Sequence, residues 1–124
     1  MYSAERYHDF SAGHRVVGHE SKVRFLHGHN YRVHIEAEPE DSLDSLGRVA
    51  DFSVLKRLGD WLEANWDHRL ILSSEDPYRE PLRNLFPESV WTAPFNPTAE
   101  NLAAYMAKEI APGLFWNDPI KIAR

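Results

Sequence analysis

Two histidines separated by one glycine open the most regular stretch of the sequence, FLHGHNYRVHIEAEPE, residues 25–40. In an extended chain, side chains at positions i and i+2 point to the same face. His27 and His29 therefore share a face. That face continues with apolar residues at every second position, namely Tyr31, Val33, Ile35 and Ala37, while the opposite face is polar. A half-buried strand that ends in two imidazoles on its apolar side suits zinc, which histidine nitrogens commonly bind.

A third ligand is predicted at His14. This residue follows the small residues of FSAG and comes just after a predicted strand. If that strand lies beside the strand of His27, three neutral imidazoles with an open fourth position form the catalytic type of zinc site. A hydrogen-bonded strand end is the alternative explanation of an isolated HxH pair, and on the residues alone His14 shifts the balance only modestly toward a metal.

The remaining histidines are predicted to have other roles. His34 lies on the polar face of the alternating strand, so it points away from the candidate ligands, and His8 and His19 are expected to face solvent. His68, in WDHR, has two alternative roles. It either interacts favourably with the negative end of a helix dipole, or it transfers protons, because histidine is the side chain that titrates near neutral pH.

Length and composition limit the class of protein. The 124 residues suit one domain, and the 14 basic and 19 acidic residues give a net charge of −5 without a basic run. This balance argues against nucleic acid as a partner, since phosphate backbones require clustered Lys and Arg. We also find no stretch of membrane-spanning length, no signal-peptide pattern and no cysteine. We therefore expect a cytoplasmic protein that does not bind membranes.

The elements that must position these residues form an α+β pattern. A first strand is predicted up to about Phe10, followed by a loop over 12–24 and the alternating strand. A helix is predicted in VADFSVLKRLGDWLEANWDH, with Asp51 or Ser53 as its cap, because its apolar residues recur at spacings of three and four. A proline-rich loop covers about 77–97. A second helix, TAENLAAYMAKEIA, is capped by Thr98, and DPIKIAR begins another strand.

Five motifs of this chain resemble those of a known family. The stretches FSAGHRV, LHGHNYRVHIEAE, VADFSVLK, WDHRLI and NPTAENLA stand in the order and spacing of the 6-pyruvoyl-tetrahydropterin synthase family, which includes 6-carboxy-tetrahydropterin synthase of the queuosine pathway. The resemblance spans residues from about 5 to 124. It implies the tunnelling fold, in which a four-stranded antiparallel sheet carries two helices on one face. It further implies trimers or hexamers, whose sheets join into a barrel.

The resemblance also implies a site and its chemistry. His14, His27 and His29 match the family's zinc ligands, and Asp67 with His68 matches its proton-relaying Asp-His pair. The implied substrate is a dihydropterin with a hydroxylated side chain, commonly a triphosphate. Zinc would act on it as a Lewis acid, while a base of suitable pKa moves protons. Adjacent side chains diverge in regular structure, so the pairing of Asp67 with His68 requires an irregular backbone.

Two departures from the family pattern affect the predicted activity. The family's proton-abstracting cysteine lies four residues before the first His of HGH, and Val23 stands there in this chain. The family's pterin-gripping glutamate falls beyond Arg124. Either the single domain 1–124 is truncated in its last strand, or it lacks this anchor. One branch of the family replaces the cysteine with glutamate, and Glu20 is the nearest carboxylate that could serve as such a catalytic base; a surface glutamate is the alternative.

Three functions follow from this pattern. The leading prediction is a zinc-dependent lyase or synthase acting on the side chain of 7,8-dihydroneopterin or its triphosphate, most like 6-carboxy-tetrahydropterin synthase. The first alternative is an aldolase-type cleavage to 6-hydroxymethyl-dihydropterin, with Glu20 or His68 as the base. The second is a zinc-containing protein that binds a pterin or purine without converting it.

Overall fold

The computed structural model describes residues 2–18, 25–50, 52–115 and 120–122. The elements, in chain order, are β1 Ala4–His14, β2 His27–Pro39, α1 Phe52–Asn65, β3 Arg69–Ser73, α2 Arg79–Leu85, β4 Val90–Ala93, α3 Ala99–Tyr105, a π-helical turn Met106–Ile110, α4 Ala111–Phe115 and β5 Ile120–Ile122. This arrangement confirms the predicted α+β class. Among the described residues, no helix is long and apolar enough to cross a membrane.

The sheet differs in detail from the antiparallel four-stranded sheet that we expected. It has the order β4-β3-β1-β2-β5, and a short fifth strand lies at one edge. β1 pairs antiparallel with β2, but β3 runs parallel to both β1 and β4. The parallel pairing of β3 and β4 has a physical reason in their connection: α2 lies between them, and a crossover helix returns the chain so that the next strand runs in the same direction.

Strands β1 and β2 form the long ribbon that positions the candidate ligands. Their register pairs Ala4 with Ala37 at one end and His14 with His27 at the other. Because side chains alternate along a strand, Phe10, Ala12 and His14 lie on one face of β1 and are buried there. On β2, Ile35 and Ala37 are buried in the same core.

Two helical segments cover this face of the sheet. The buried residues of α1 and the turn after it, Leu55, Leu58, Leu62 and Trp66, recur at spacings of three and four, as predicted. The second segment, α3 to α4, contributes Leu102, Met106, Ala111 and Phe115 to the same core. The predicted cap of this segment is confirmed, because the Thr98 side chain accepts a hydrogen bond from the backbone N–H of Asn101 at 3.1 Å.

Three sequence-based expectations about elements are corrected. β1 extends to His14 rather than ending near Phe10, so this histidine lies in the strand and not in the following loop. The proline-rich loop over 77–97 contains α2 and β4; these elements are only seven and four residues long, too short to produce a clear periodicity.

The third correction concerns His8, which we expected to face solvent. It lies on the core side of β1, and its Nε2 is 3.2 Å from the Leu55 carbonyl oxygen. Its ring packs on α1 at Gly59, where a Cβ atom would lie 2.5 Å from the His8 Nδ1. Glycine is therefore needed at this contact. Burial lowers the pKa of His8, although the bond to Leu55 opposes that shift.

Candidate metal centre

The ends of β1 and β2 bring three histidines together. His14 is the cross-strand partner of His27, and His29 lies on the same face, opposite Ala12. Each of the three offers a nitrogen, and these nitrogens all lie within 4.8 Å of one another. The predicted ligands are thus gathered by the register of one antiparallel ribbon, in which directly opposed side chains lie on the same side of the sheet.

Backbone carbonyl groups orient two of the three imidazoles. The Nδ1 of His14 lies 2.6 Å from the carbonyl oxygen of Pro97, and the Nδ1 of His27 lies 2.7 Å from that of Phe25. A carbonyl oxygen only accepts, so each Nδ1 must carry the proton and donate it. The other nitrogen, Nε2, then has a free lone pair. Such an outer partner is what a metal-binding histidine normally has.

The environment of His14 favours the neutral imidazole. The residue is 6% exposed. Burial is the main cause that lowers the pKa of His14, and the neighbouring His27 and His29 lower it further, while the bond to Pro97 acts in the opposite direction. Metal binding requires neutral imidazole, so this shift keeps His14 competent to bind a metal at a pH where a free histidine begins to protonate.

The donor set fits a metal cation. The Nε2 atoms of His14 and His27 face each other at 3.1 Å. Since both Nδ1 atoms donate to carbonyls, both Nε2 atoms present lone pairs, and these repel unless a cation or a shared proton lies between them. Among the described residues, the cluster consists of three nitrogen ligands with no fourth protein ligand, which is the open set found in catalytic zinc sites.

The predicted Asp67–His68 pair lies in the turn between α1 and β3. Its side chains meet, with His68 Nδ1 3.0 Å from Asp67 Oδ1. His68 has φ 59, the left-handed conformation, so the backbone is irregular in the way that the pairing of adjacent residues requires. Two backbone contacts hold this turn: the His68 N–H donates to the Ser11 carbonyl at 2.6 Å, and the Ser11 N–H donates to Asp67 Oδ1 at 3.0 Å.

The Asp67 carboxylate is stabilised in its charged form. The N–H of Ser11 is the main cause that lowers the pKa of Asp67, and the bond from His68 adds to it. A charged Asp67 holds the proton on His68 Nδ1 and leaves Nε2 as the basic nitrogen. The His68 side chain is 81% exposed, so that nitrogen is accessible to a ligand.

A shallow cleft of about 450 Å³ is lined by one residue of each group. It is lined by His29 from the metal centre and by His68 from the turn, with Asn30 and the backbone of β1 between them. The structure therefore brings five of the six predicted site residues to one end of the sheet. The sixth, Glu20, lies outside the described residues, as does Val23, which stands at the position of the family's cysteine.

His34 lies apart from this site, as predicted. It is exposed on the opposite face of the sheet, where its Nδ1 is 3.0 Å from a carboxylate oxygen of Glu5. Sequence analysis missed the groups that orient the site, namely the carbonyls of Phe25 and Pro97 and the N–H of Ser11. These are main-chain groups that nearly every residue type carries. The motifs FSAGHRV and NPTAENLA include Ser11 and Pro97, but nothing in them distinguishes these main-chain groups from others.

Comparisons with known proteins identify the family of this chain. The family model described as 6-pyruvoyl tetrahydropterin synthase matches residues 3–124. The chain belongs to this family. The match confirms the resemblance found in the sequence, and with it the enzyme class, a lyase of the 6-pyruvoyl tetrahydropterin synthase type.

Relatives within the family have a more specific name. The chain is 41% identical over 117 residues to the 6-carboxy-5,6,7,8-tetrahydropterin synthase of Rickettsia typhi, and this match covers 93% of the chain and 84% of the relative. The enzyme of the same name from Rickettsia felis is 39% identical with the same coverage. A crystal structure of an uncharacterized protein from Wolinella succinogenes shares the fold, with a TM-score of 0.81 at 22% identity over 98% of this chain and 88% of that one.

Proposed function

We propose that this protein is a zinc-dependent 6-carboxy-tetrahydropterin synthase, which converts the side chain of 7,8-dihydroneopterin triphosphate. The observation that carries the proposal is the gathering of the three imidazoles at the end of the β1–β2 ribbon, with the Asp67–His68 pair bonded to Ser11 of the same ribbon. Family membership and the name of the relatives support the pterin substrate. The proposal also includes a homotrimer or homohexamer, the assembly that the family resemblance implies.

Three residues would hold the zinc ion: His14, His27 and His29. When bound, zinc would supply Lewis-acid polarisation of the substrate side chain, which makes an adjacent C–H more acidic. The protein fixes the orientation of these three imidazoles. His14 and His27 are each fixed by a carbonyl, and His29 packs edge-on against His14 and His27, with ring centroids 5.0 and 4.7 Å apart.

Proton movement is assigned to His68. Its Nδ1 proton is held by Asp67, so Nε2 is the nitrogen that would accept a proton from the substrate and return it. The turn is anchored to β1 through Ser11, which is only three residues before His14. This anchor ties the position of the base to that of the metal ligands, although His68 itself extends into solvent.

Product analysis tests the proposal. The zinc-loaded protein should convert dihydroneopterin triphosphate to 6-carboxy-tetrahydropterin. Formation of 6-hydroxymethyl-dihydropterin from dihydroneopterin would instead establish the aldolase-type cleavage. If the protein binds both pterins and zinc but leaves both pterins unchanged, the non-catalytic alternative holds and the proposed activity is wrong.

A further inference from the structure

An asparagine next to the metal centre joins two segments that are distant in sequence. The side-chain amide of Asn96 makes two bonds to Val17, which lies 79 residues earlier in the chain. Its Oδ1 accepts the Val17 N–H at 2.8 Å, and its Nδ2 donates to the Val17 carbonyl at 2.9 Å. The amide thus forms hydrogen bonds with both the N–H and the carbonyl of Val17, as the backbone of a neighbouring strand would.

The turn that carries this asparagine also reaches a metal ligand. Pro97, the next residue, is fully buried, and its carbonyl accepts the bond from His14 Nδ1 at 2.6 Å. The same turn is fixed from the other side, since the Asn96 carbonyl accepts from Thr98 N at 2.8 Å and from Asn101 Nδ2 at 2.9 Å. The position of the Pro97 carbonyl is therefore determined by contacts on both of its flanks.

We propose that Asn96 is a positioning residue of the metal centre. By locking the segment after β1 to the turn before α3, it holds the Pro97 carbonyl at His14 Nδ1 and so keeps Nε2 directed at the metal. The inference rests on the proposed zinc site. A side-chain amide supplies the acceptor and the donor that Val17 requires in one planar group.

A merely stabilising role for Asn96 makes a different prediction. Loss of two hydrogen bonds lowers the free energy of unfolding in either case. If the bonds serve stability alone, the folded variant binds zinc as tightly as the parent protein does. If they position His14, the folded variant binds zinc more weakly, because an outer partner typically contributes about 10- to 100-fold to metal affinity.

The experiment compares Asn96→Ala with Asn101→Ala. Both variants lose bonds of the same turn, but only the first loses the link to Val17. Zinc affinity, measured by competition with a chelator on folded protein, should fall about tenfold in Asn96→Ala. It should fall by less in Asn101→Ala, because the link to Val17 remains and Thr98 N still donates to the Asn96 carbonyl. Equal affinities in the two variants would overturn the proposal. If the parent protein itself binds no zinc, it is the proposed function that fails.

A second variant approaches the link from its other end. Val17 and Gly18 lie in a turn, and Gly18 has φ 82; in type II turns, glycine at positive φ commonly follows proline. Val17→Pro removes the N–H that Asn96 Oδ1 accepts and leaves the bond from Nδ2. It should weaken zinc binding by a smaller factor than Asn96→Ala, and it decides the question alone should Asn96→Ala not fold.

The tautomer of His14 is a second measurable quantity, and it would not change if Asn96 only stabilised the fold. In the metal-free parent protein, nitrogen chemical shifts at a fixed pH should show the proton of neutral His14 on Nδ1. In Asn96→Ala a fraction of His14 should carry the proton on Nε2 instead. If the His14 tautomer is unchanged in Asn96→Ala, and zinc affinity is unchanged in Asn96→Ala and in Val17→Pro, then Asn96 acts on stability alone.

Discussion

The metal centre and the Asp67–His68 turn both contain histidine, but in opposite environments. His14 is 6% exposed, lies within a regular strand and has its Nδ1 bonded to a backbone carbonyl. The His68 side chain is 81% exposed, lies in a turn with φ 59 and has its Nδ1 bonded to a carboxylate. The two groups nevertheless lie on one cleft, which His29 and His68 both line.

The difference fits the role proposed for each group. A metal ligand must stay neutral and fixed, and burial together with a neutral carbonyl partner achieves this. A proton-transferring group must reach its substrate and tolerate a charge, and exposure beside a carboxylate suits that role. In this chain the Nδ1 of two proposed ligands meets a carbonyl oxygen, whereas the Nδ1 of the proposed base meets a carboxylate.

The largest expected effect is on the metal. His27→Ala removes a ligand rather than an outer partner, so it should weaken zinc binding by more than the roughly 10- to 100-fold that loss of an outer partner costs. Elemental analysis of the purified variant measures the result. His34→Ala, on the opposite face, is the control. One equivalent of zinc retained by His27→Ala would disprove the assignment of the ligands.

His68→Asn separates the two regions most directly. Asparagine tolerates the left-handed backbone, so the turn should persist while the base is lost. We expect the turnover rate to fall about 100- to 10,000-fold at an unchanged zinc content. If the variant also loses zinc, or if it turns over at the parent rate, then metal binding and proton transfer are not separated between the two regions.

Val23→Cys tests whether the Asp67–His68 pair can transfer protons without the thiol of the family's cysteine. Residue 23 lies outside the described part of the chain, so this prediction rests on the sequence alone. The added thiol should raise product formation by about 100-fold, the lower end of the contribution of acid–base catalysis, over a residual rate due to His68. If Glu20 is the base of an aldolase-type cleavage, Val23→Cys should do little and Glu20→Gln should abolish 6-hydroxymethyl-dihydropterin formation. A parent rate equal to that of a cysteine-containing relative would contradict both versions.

Asp67→Asn should have a smaller effect. An exposed ion pair contributes up to about 1 kcal/mol, which corresponds to about a fivefold change in rate. Asparagine can still accept the Ser11 N–H through its carbonyl oxygen, so the fold of the turn should be retained. Rate measurements together with thermal unfolding test this, and a loss approaching that of His68→Asn would mean that Asp67 itself moves the proton.

The smallest expected effect is on the pH dependence of stability, and it concerns His8, a partly buried histidine outside the metal centre. Burial lowers the pKa of His8, as it does that of His14, but His8 lies further along the same face of β1. Since the pKa of His8 in the folded state is below the unfolded value of 6.5, its contribution to stability is complete above pH 6.5 and is lost as the pH falls toward the folded value.

Replacement of His8 tests this dependence. In zinc-loaded protein, His8→Gln should unfold with a weaker loss of stability between pH 7 and acid pH than the parent protein, because glutamine does not titrate there. His34→Gln on the exposed face is the matched control. Parallel pH profiles for His8→Gln and the parent would show that burial alone does not shift the titration of a histidine on this strand.

The sequence by itself determined the identity of the candidate ligands and the main elements. The spacing of His27 and His29 placed both on the apolar face of β2, because alternation is a local property of extended chain. The recurrence of Leu55, Leu58 and Leu62 did the same for α1. The motifs around these residues were specific enough to identify the family, which the comparisons confirm. Local periodicity and motif spacing are properties that a linear sequence retains.

Only the tertiary structure decided how these parts meet. The register that opposes His14 to His27, the carbonyl of Pro97 at His14 Nδ1 and the amide of Asn96 at Val17 each join residues that are distant along the chain or depend on main-chain atoms. The left-handed conformation of His68 depends on bonds to Ser11 in another element. Such contacts are selected by the packing of the whole chain, because the main-chain donors and acceptors are the same at nearly every position and leave no mark in the sequence.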